Sequence, residues 1–256
     1  MSIESKTPEA ANTWDAAVID LDGVVTQTAQ VHAHAWATMF NEYLRARPDH
    51  AGENHAPFVE RDYREYVDGR PRYDGVRTFL ESRGIHLPLG APSDAPDQET
   101  VCGLGNRKNQ LFHELLAAEG PKVFDDAITQ IQRWRARGLK TAMVSSSRNA
   151  GMIIDVAGIR ELFDVTIDGT DAARLGLPGK PAPDTFLEAA KLLDADPART
   201  IFVEDAMSGV QAGRAGKFGL VVGVAREGNA ESLRENGADR VVQELTELED
   251  LHRPSE

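Results

Sequence analysis

Residues 15–23, DAAVIDLDG, carry the pattern on which the fold turns. A short apolar run ends in Asp20 and Asp22 and is closed by Gly23. A run of this length without polar alternation predicts a strand buried on both faces, the kind found in parallel sheets. Side chains alternate along a strand, so Asp20 and Asp22 should face one side and Leu21 the other. Two carboxylates this close repel each other unless a proton or a cation compensates them.

On the C-terminal side of this strand, residues 29–45 read as a helix, with Val31, Ala35, Met39 and Tyr43 spaced by four. From about 45 to 106 the chain turns rich in Arg, Asp, Glu, Pro and Gly. It holds a short helical piece at 77–84, a loop over 93–100 and a helix at 105–118. Beyond Pro121 the order is regular. Helices at 125–137, 149–158, 183–195 and 208–216 alternate with strands at 139–147, 163–169, 200–206 and 218–224, and a strand at 238–242 precedes a C-terminal helix. Such alternation predicts right-handed crossovers and an α/β fold built on a Rossmann-like parallel sheet. Ligands of open α/β sheets sit at the carboxyl ends of the strands, so the residues there should carry the chemistry.

Those ends are reactive in kind. Beside Asp20 and Asp22 stand a second acidic end, Glu204-Asp205, and a hydroxyl row, Ser145-Ser146-Ser147, at a helix start. Carboxylates without cysteine or clustered histidine favour Mg²⁺ over zinc. Hydroxyls and backbone N–H groups at a helix start favour an anion. Between them, Gly179-Lys180-Pro181-Ala182-Pro183-Asp184 presents one lysine on a proline-stiffened loop. Taken singly, each has a plain structural explanation as a turn, a cap or a solvated charge. On strand ends of one region they form a set suited to phosphoryl transfer, with a carboxylate as nucleophile.

Composition narrows the rest. The chain has 256 residues, ordinary apolar and charged content, and a net charge of −13 from 28 basic and 41 acidic residues. Such a field argues against nucleic acid or an anionic membrane as partner. An anionic substrate would need positive charge gathered locally. The single cysteine, Cys102, permits no intrachain disulfide and no cysteine-based zinc site. Without a signal peptide or a membrane-length apolar stretch, a cytoplasmic monomer is expected. Residues 1–14 and 252–256 read as polar tails.

The segments DLDGVVTQTAQVHAHAW (20–36), VSSSRN (144–149), GKPAPDTF (179–186) and FVEDAMSGVQAG (202–213) resemble, in order and spacing, the four motifs of the haloacid dehalogenase superfamily. Within it the chain is most similar to the β-phosphoglucomutase family, over about 15–225. The resemblance implies a core of 1–32 and 121–256 and an inserted helical cap of 33–120. It implies Asp20 as the nucleophile that forms an aspartyl-phosphate, and Asp22 as general acid/base. Mg²⁺ would be held by Asp20, the backbone carbonyl of Asp22, Asp205 and, in support, Glu204. Ser145 and Lys180 would bind the transferring phosphoryl group, and Ser146, Arg148 and Asn149 would meet the substrate. From the cap, Gly69, Arg72 and Lys108 match the family pattern, Arg72 for a second phosphate.

His32 fits either a satisfied helix histidine or a residue that positions Asp22. Trp36 fits a core aromatic as well as a substrate contact, and His34 and His113 read as structural or exposed. Two departures, Gln27 in place of a common acid and a longer cap around 45–57, are expected near the substrate-selecting part. The implied activity is interconversion of β-D-glucose 1-phosphate and 6-phosphate. A sugar-phosphate phosphatase and a non-catalytic sugar-phosphate binding protein are the alternatives.

Overall fold

The computed structural model describes residues 14–226 and 228–249. Six parallel strands form one sheet: β1 (Ala16–Asp20), β2 (Lys140–Val144), β3 (Val165–Ile167), β4 (Thr200–Glu204), β5 (Leu220–Val224) and β6 (Arg240–Val242), in spatial order β3-β2-β1-β4-β5-β6. The order reverses beside β1, whose neighbours are β2 and β4. That is the switch point where strand-end loops diverge and leave a crevice. The α/β fold and the strands expected from the apolar runs are therefore present.

Every residue of β1 is buried, as a central strand covered on both faces requires. Ala17 and Ile19 pack with Ile131 and Trp134 of helix α5 (Asp125–Ala136) and with Ile153 and Ile154 of α6 (Ala150–Val156). Ala16 and Val18 pack on the other face with Phe186 and Ala189 of α8 (Asp184–Leu192) and Val210 of α9 (Met207–Ala215). Asp20 has the parity of Ala16 and Val18, so the alternation that builds the core also aims its carboxylate towards the loop before α8.

The helices in chain order are α1 (Thr28–Ala46), α2 (Glu60–Asp62, continuing into a wider turn at Tyr63–Val67), α3 (Arg72–Ser82), α4 (Val101–Glu119), α5 (Asp125–Ala136), α6 (Ala150–Val156), α7 (Gly169–Leu175), α8 (Asp184–Leu192), α9 (Met207–Ala215) and α10 (Ala230–Glu235). A third apolar cluster lies off the sheet, around Trp36, Met39 and Phe40 of α1, Phe58 just before α2, Val76 and Phe79 of α3, and Val101 and Leu104 of α4. Ala35 of α1 and Phe112 and Leu116 of α4 belong instead to a sheet cluster. Both helices thus run from one core into the other, and α1 is continuous across residues 32 and 33.

Several expectations are corrected. The helix expected at 105–118 begins earlier, because Thr100 caps it by accepting from Gly103 N. The strand expected over 163–169 is only Val165–Ile167, because Asp168 caps α7 through the backbone N–H groups of Thr170 and Asp171. Helices α7 and α10 were not foreseen. The expected C-terminal helix is, among the described residues, a 3₁₀ turn at Leu245–Leu248 whose two leucines are fully buried. The N-terminal tail stops short of Trp14, which is buried against the sheet. The rest of both expected tails lies outside the described residues. No described helix is long and apolar enough to cross a membrane.

Candidate active site

The carboxyl ends of β1 and β4 adjoin, and they bring three acids together. Ligand oxygens of Asp20, Glu204 and Asp205 all lie within 4.8 Å of one another. Burial forces the problem: Asp20 is 3% exposed and Glu204 fully buried. One cation answers them, Lys180, whose Nζ donates to Asp20 Oδ1 at 2.6 Å and to Glu204 Oε1. The other Glu204 oxygen accepts from Ala206 N at 2.7 Å. Glu204 is therefore engaged by the protein on both oxygens, which suits the supporting role expected of it.

The charge balance is incomplete. Burial, with Glu204 and Asp22 close by, holds the Asp20 carboxyl well above the usual carboxylate range despite Lys180. Burial, Glu204, Asp68 and Asp20 do the same to Asp205. Lys180 is kept protonated, its burial outweighed by Asp20 and Glu204. Excess buried negative charge carried by oxygen donors fits a hard divalent cation. Close approach of the backbone completes this cradle: Gly23 adopts φ +83°, and a Cβ there would collide with the Asp205 carboxylate.

Asp22 is held apart from this cluster. Its carboxylate accepts from Thr28 Oγ1 and from Ser145 Oγ at 3.0 Å. His32 Nε2 stands 3.5 Å from Asp22 Oδ1. Burial alone would raise the Asp22 pKa, but His32 and the hydrogen bonds from Thr28 and Ser145 bring it below its ordinary value. Asp20 and Asp22, adjacent on one side of the chain, thus differ in opposite directions. Lys108 Nζ lies 2.5 Å from His32 Nδ1. An ammonium can only donate, so Nδ1 accepts and Nε2 carries the proton that faces Asp22. Burial and Arg72 lower Lys108 to about 7, and burial and Lys108 lower His32.

All of these side chains except Glu204 and Thr28 line one cavity of about 370 Å³, together with Trp36, Gly69, Arg72, Ser146, Arg148 and Asn149. Its roof touches its floor. Ser146 Oγ donates to Gly69 O at 2.8 Å, Ser208 Oγ donates to Asp68 O at 3.1 Å, and Asn149 Nδ2 donates to Asn109 Oδ1 at 2.9 Å. Gly69, at φ +69°, sits so close above the β4 loop that a Cβ would lie 2.6 Å from Ser208 Oγ. Trp36 is only 4% exposed and belongs to the off-sheet core, but Lys108 Nζ rests 5.0 Å from its ring centroid. His34 is exposed, and exposed His113 pairs through Nε2 with Asn149 Oδ1 at 3.2 Å.

Two expectations fail here. Gln27 does not line this cavity; it donates to Val123 O and lines a neighbouring one with Asp68 and Asp205. None of residues 45–57 lines the cavity; Arg47 and Glu53 pair with each other just beyond the end of α1. Sequence reasoning also passed over Asn109, which accepts from Arg72 Nη2 at 2.7 Å as well as from Asn149. Its only signal was its place directly after Lys108.

A model of the haloacid dehalogenase-like hydrolases matches residues 14–217. This chain belongs to that family. All the clustered residues above fall inside the matched span. A β-phosphoglucomutase of Mycobacterium tuberculosis is 47% identical over 91% of this chain and 90% of its own length. A β-phosphoglucomutase of Bacillus subtilis is 32% identical over 91% of each. Among solved structures, a β-phosphoglucomutase from Clostridium difficile shares the fold with a TM-score of 0.70, at 24% identity over 92% of this chain and 93% of that one. The β-phosphoglucomutase family that the four motifs resemble is thus the one these relatives carry.

Removing one member of the acidic cluster should relieve repulsion. Asp20 and Asp205 have folded-state pKa values raised above those of the unfolded chain, so their stabilising contribution is full at low pH and is lost as pH rises through the folded values. Asp205→Asn should therefore melt above the wild type in EDTA at pH 7.5, by about 2–4 °C per kcal/mol relieved, with a gap that shrinks towards pH 4. The variant should also lose the upward shift that Mg²⁺ gives the wild type. A variant melting below the wild type in EDTA at pH 7.5 would contradict the account.

Proposed function

We propose that this chain is a Mg²⁺-dependent β-phosphoglucomutase, with residues 33–120 as a cap closing over a core of 1–32 and 121–256. The observation that carries the reading is the distribution of cations in one cavity. Lys180 serves Asp20 on the sheet side, and a separate pair, Arg72 and Arg148, flanks Tyr73 on the other. A phosphatase needs the first set; a hexose that carries phosphate at both ends in mid-cycle also needs the second. The 47% identity to a β-phosphoglucomutase supports the same reading.

In this reading the phosphorylated form of Asp20 meets β-D-glucose 1-phosphate. Asp22 is a carboxylate in the resting protein, so it can accept the proton of the C6 hydroxyl as that oxygen attacks phosphorus and the Asp20–phosphorus bond breaks. The β-glucose 1,6-bisphosphate so formed turns end for end. Asp20 then attacks the C1 phosphate, the C1–oxygen to phosphorus bond breaks, and Asp22 returns its proton to the departing oxygen. Lys180 and Ser145 hold the transferring group, while Arg72, Arg148, Ser146 and Asn149 hold the other end. Asp20, Asp205 and the backbone carbonyl of Asp22, with Glu204 in support, would hold Mg²⁺, which would supply positive charge to offset that of the transferring phosphoryl group. The seam of hydrogen bonds through Gly69, Asp68 and Asn109 supports exclusion of water, which would otherwise hydrolyse the acyl phosphate.

With Mg²⁺ and a trace of bisphosphate, β-glucose 1-phosphate should yield glucose 6-phosphate, and Asp20→Ala should lose at least ~10³ of the rate. Free phosphate as the main product would replace the mutase reading with the phosphatase one.

The pH profile offers a second check. Lys108 must be protonated to donate to His32 and to add positive charge, and it loses that proton near pH 7 in the free protein. We expect kcat/KM to fall on the alkaline side with an apparent pKa near 7, and Lys108→Arg to push that limb up by more than one pH unit. An alkaline limb that Lys108→Arg leaves in place would assign it to another group.

A further inference from the structure

Tyr73, at the start of α3, has no part in the roles assigned so far, yet it stands between the two arginines of the cavity. The Arg72 guanidinium carbon lies 5.9 Å from its ring centroid and that of Arg148 lies 5.7 Å from it. Both residues line the cavity beside Tyr73. Two guanidiniums in a shielded pocket repel each other, and each is drawn to the face of an aromatic ring at this range. Burial first, and then Arg148, already work against the charge on Arg72. A ring held between them offsets that repulsion before any anion enters.

The ring is itself firmly seated. Its Cδ1 and Cε1 rest against the backbone of α4 at Gly105, where a Cβ would come within 2.7 and 2.8 Å of them. Its hydroxyl donates to Asn106 Oδ1 at 3.0 Å. The Asn106 amide donates to Pro92 O at 3.1 Å and Asp94 O at 2.8 Å, which ties the ring to the loop before α4. On its other side Arg72 is pinned by Asn109, which also holds Asn149, the neighbour of Arg148.

We propose that Tyr73 is a positioning residue for substrate affinity: wedged against Gly105, its ring holds Arg72 and Arg148 as a preformed two-guanidinium clamp for the phosphate that is not being transferred. The inference rests on the reading that a sugar phosphate occupies this cavity. Preorganisation of this kind acts on binding, because the arginines need not be gathered and oriented when the anion arrives.

Calorimetric titration with glucose 1,6-bisphosphate and glucose 6-phosphate tests it, alongside steady-state rates. Tyr73→Ala should weaken binding of both sugar phosphates, and raise KM, by about tenfold, the loss of roughly 1.4 kcal/mol of guanidinium–ring attraction, with a much smaller fall in kcat. Tyr73→Phe should recover most of the loss, since the ring remains. Gly105→Ala should reproduce it by displacing the ring. Arg72→Ala/Arg148→Ala and the triple variant that adds Tyr73→Ala should bind nearly alike, because the ring acts through the two arginines. If Tyr73→Ala does not fold, Tyr73→Leu, which keeps apolar bulk without the π-face, serves in its place with the same tenfold loss expected. Binding and KM within twofold of the wild type in these variants, or a loss confined to kcat, would overturn the inference while leaving the mutase reading intact. Failure of the wild type to bind either sugar phosphate would overturn the functional reading and the inference with it.

Discussion

Two buried carboxylates, Asp20 and Glu204, share one ammonium at the switch point of the sheet with a third, half-buried carboxylate, Asp205, beside them, and much of the molecule is arranged around that imbalance. Asp20 and Glu204 end neighbouring strands, so the parallel register that builds the core also brings their charges together. Lys180 reaches them from the loop before α8 and cannot neutralise Asp205 as well. A buried charge left without a partner is costly. Burial and the neighbouring carboxylates push Asp20 and Asp205 well above the usual carboxylate range. Two aspartates one residue apart are thereby differentiated: Asp20 belongs to the cation cluster, while Asp22 is turned to Thr28, Ser145 and His32 and stays ionised. In the proposed reaction this difference is what separates the carboxylate that takes up the phosphoryl group from the one that moves the proton.

The strongly acidic chain resolves its conflict with an anionic substrate by local grouping. The net charge of −13 is spread over the whole molecule, but Lys180, Lys108, Arg72 and Arg148 all line the one cavity. Helices α1 and α4 make this possible, because each runs from the sheet core into the off-sheet cluster. His32 on α1 and Lys108 on α4 can therefore meet over Asp22, although 76 positions separate them. Asn109, one residue further along α4, joins Arg72 to the loop that carries Arg148 and Asn149.

The parts of the site that were legible in the sequence lie at strand ends. A buried parallel strand leaves a characteristic apolar run, and whatever terminates it is readable one residue at a time; Asp20, Ser145 and Glu204 were found in this way. Lys180 is legible from its proline-stiffened loop between strand ends, whereas Arg72 and Lys108 emerge only from the family pattern, because a lone cation at a helix start or within a helix has no local signature. Tyr73, Asn106 and Asn109 were invisible for a different reason. Their partners are 33 to 40 residues away, on other helices or loops, and only the packing of α3 on α4 brings them together. Short helices such as α7 were missed although Asp168, Asp171 and Gly176 mark both of its ends, since seven residues give too little periodicity to register. A C-terminal helix is expected after the last strand, but the burial of Leu245 and Leu248 against α5 is satisfied by a single 3₁₀ turn.

The most direct test of the central claim is calorimetric titration of Mg²⁺ into the metal-free protein between pH 5.5 and 7.5, in buffers of different ionisation enthalpy. If the raised pKa values of Asp20 and Asp205 reflect repulsion that a cation relieves, binding must displace protons. Affinity should then rise with pH, and the proton release measured from the buffer dependence should be largest at the acidic end. Binding whose affinity is flat across this range with no proton release, or no Mg²⁺ binding at all, would contradict it.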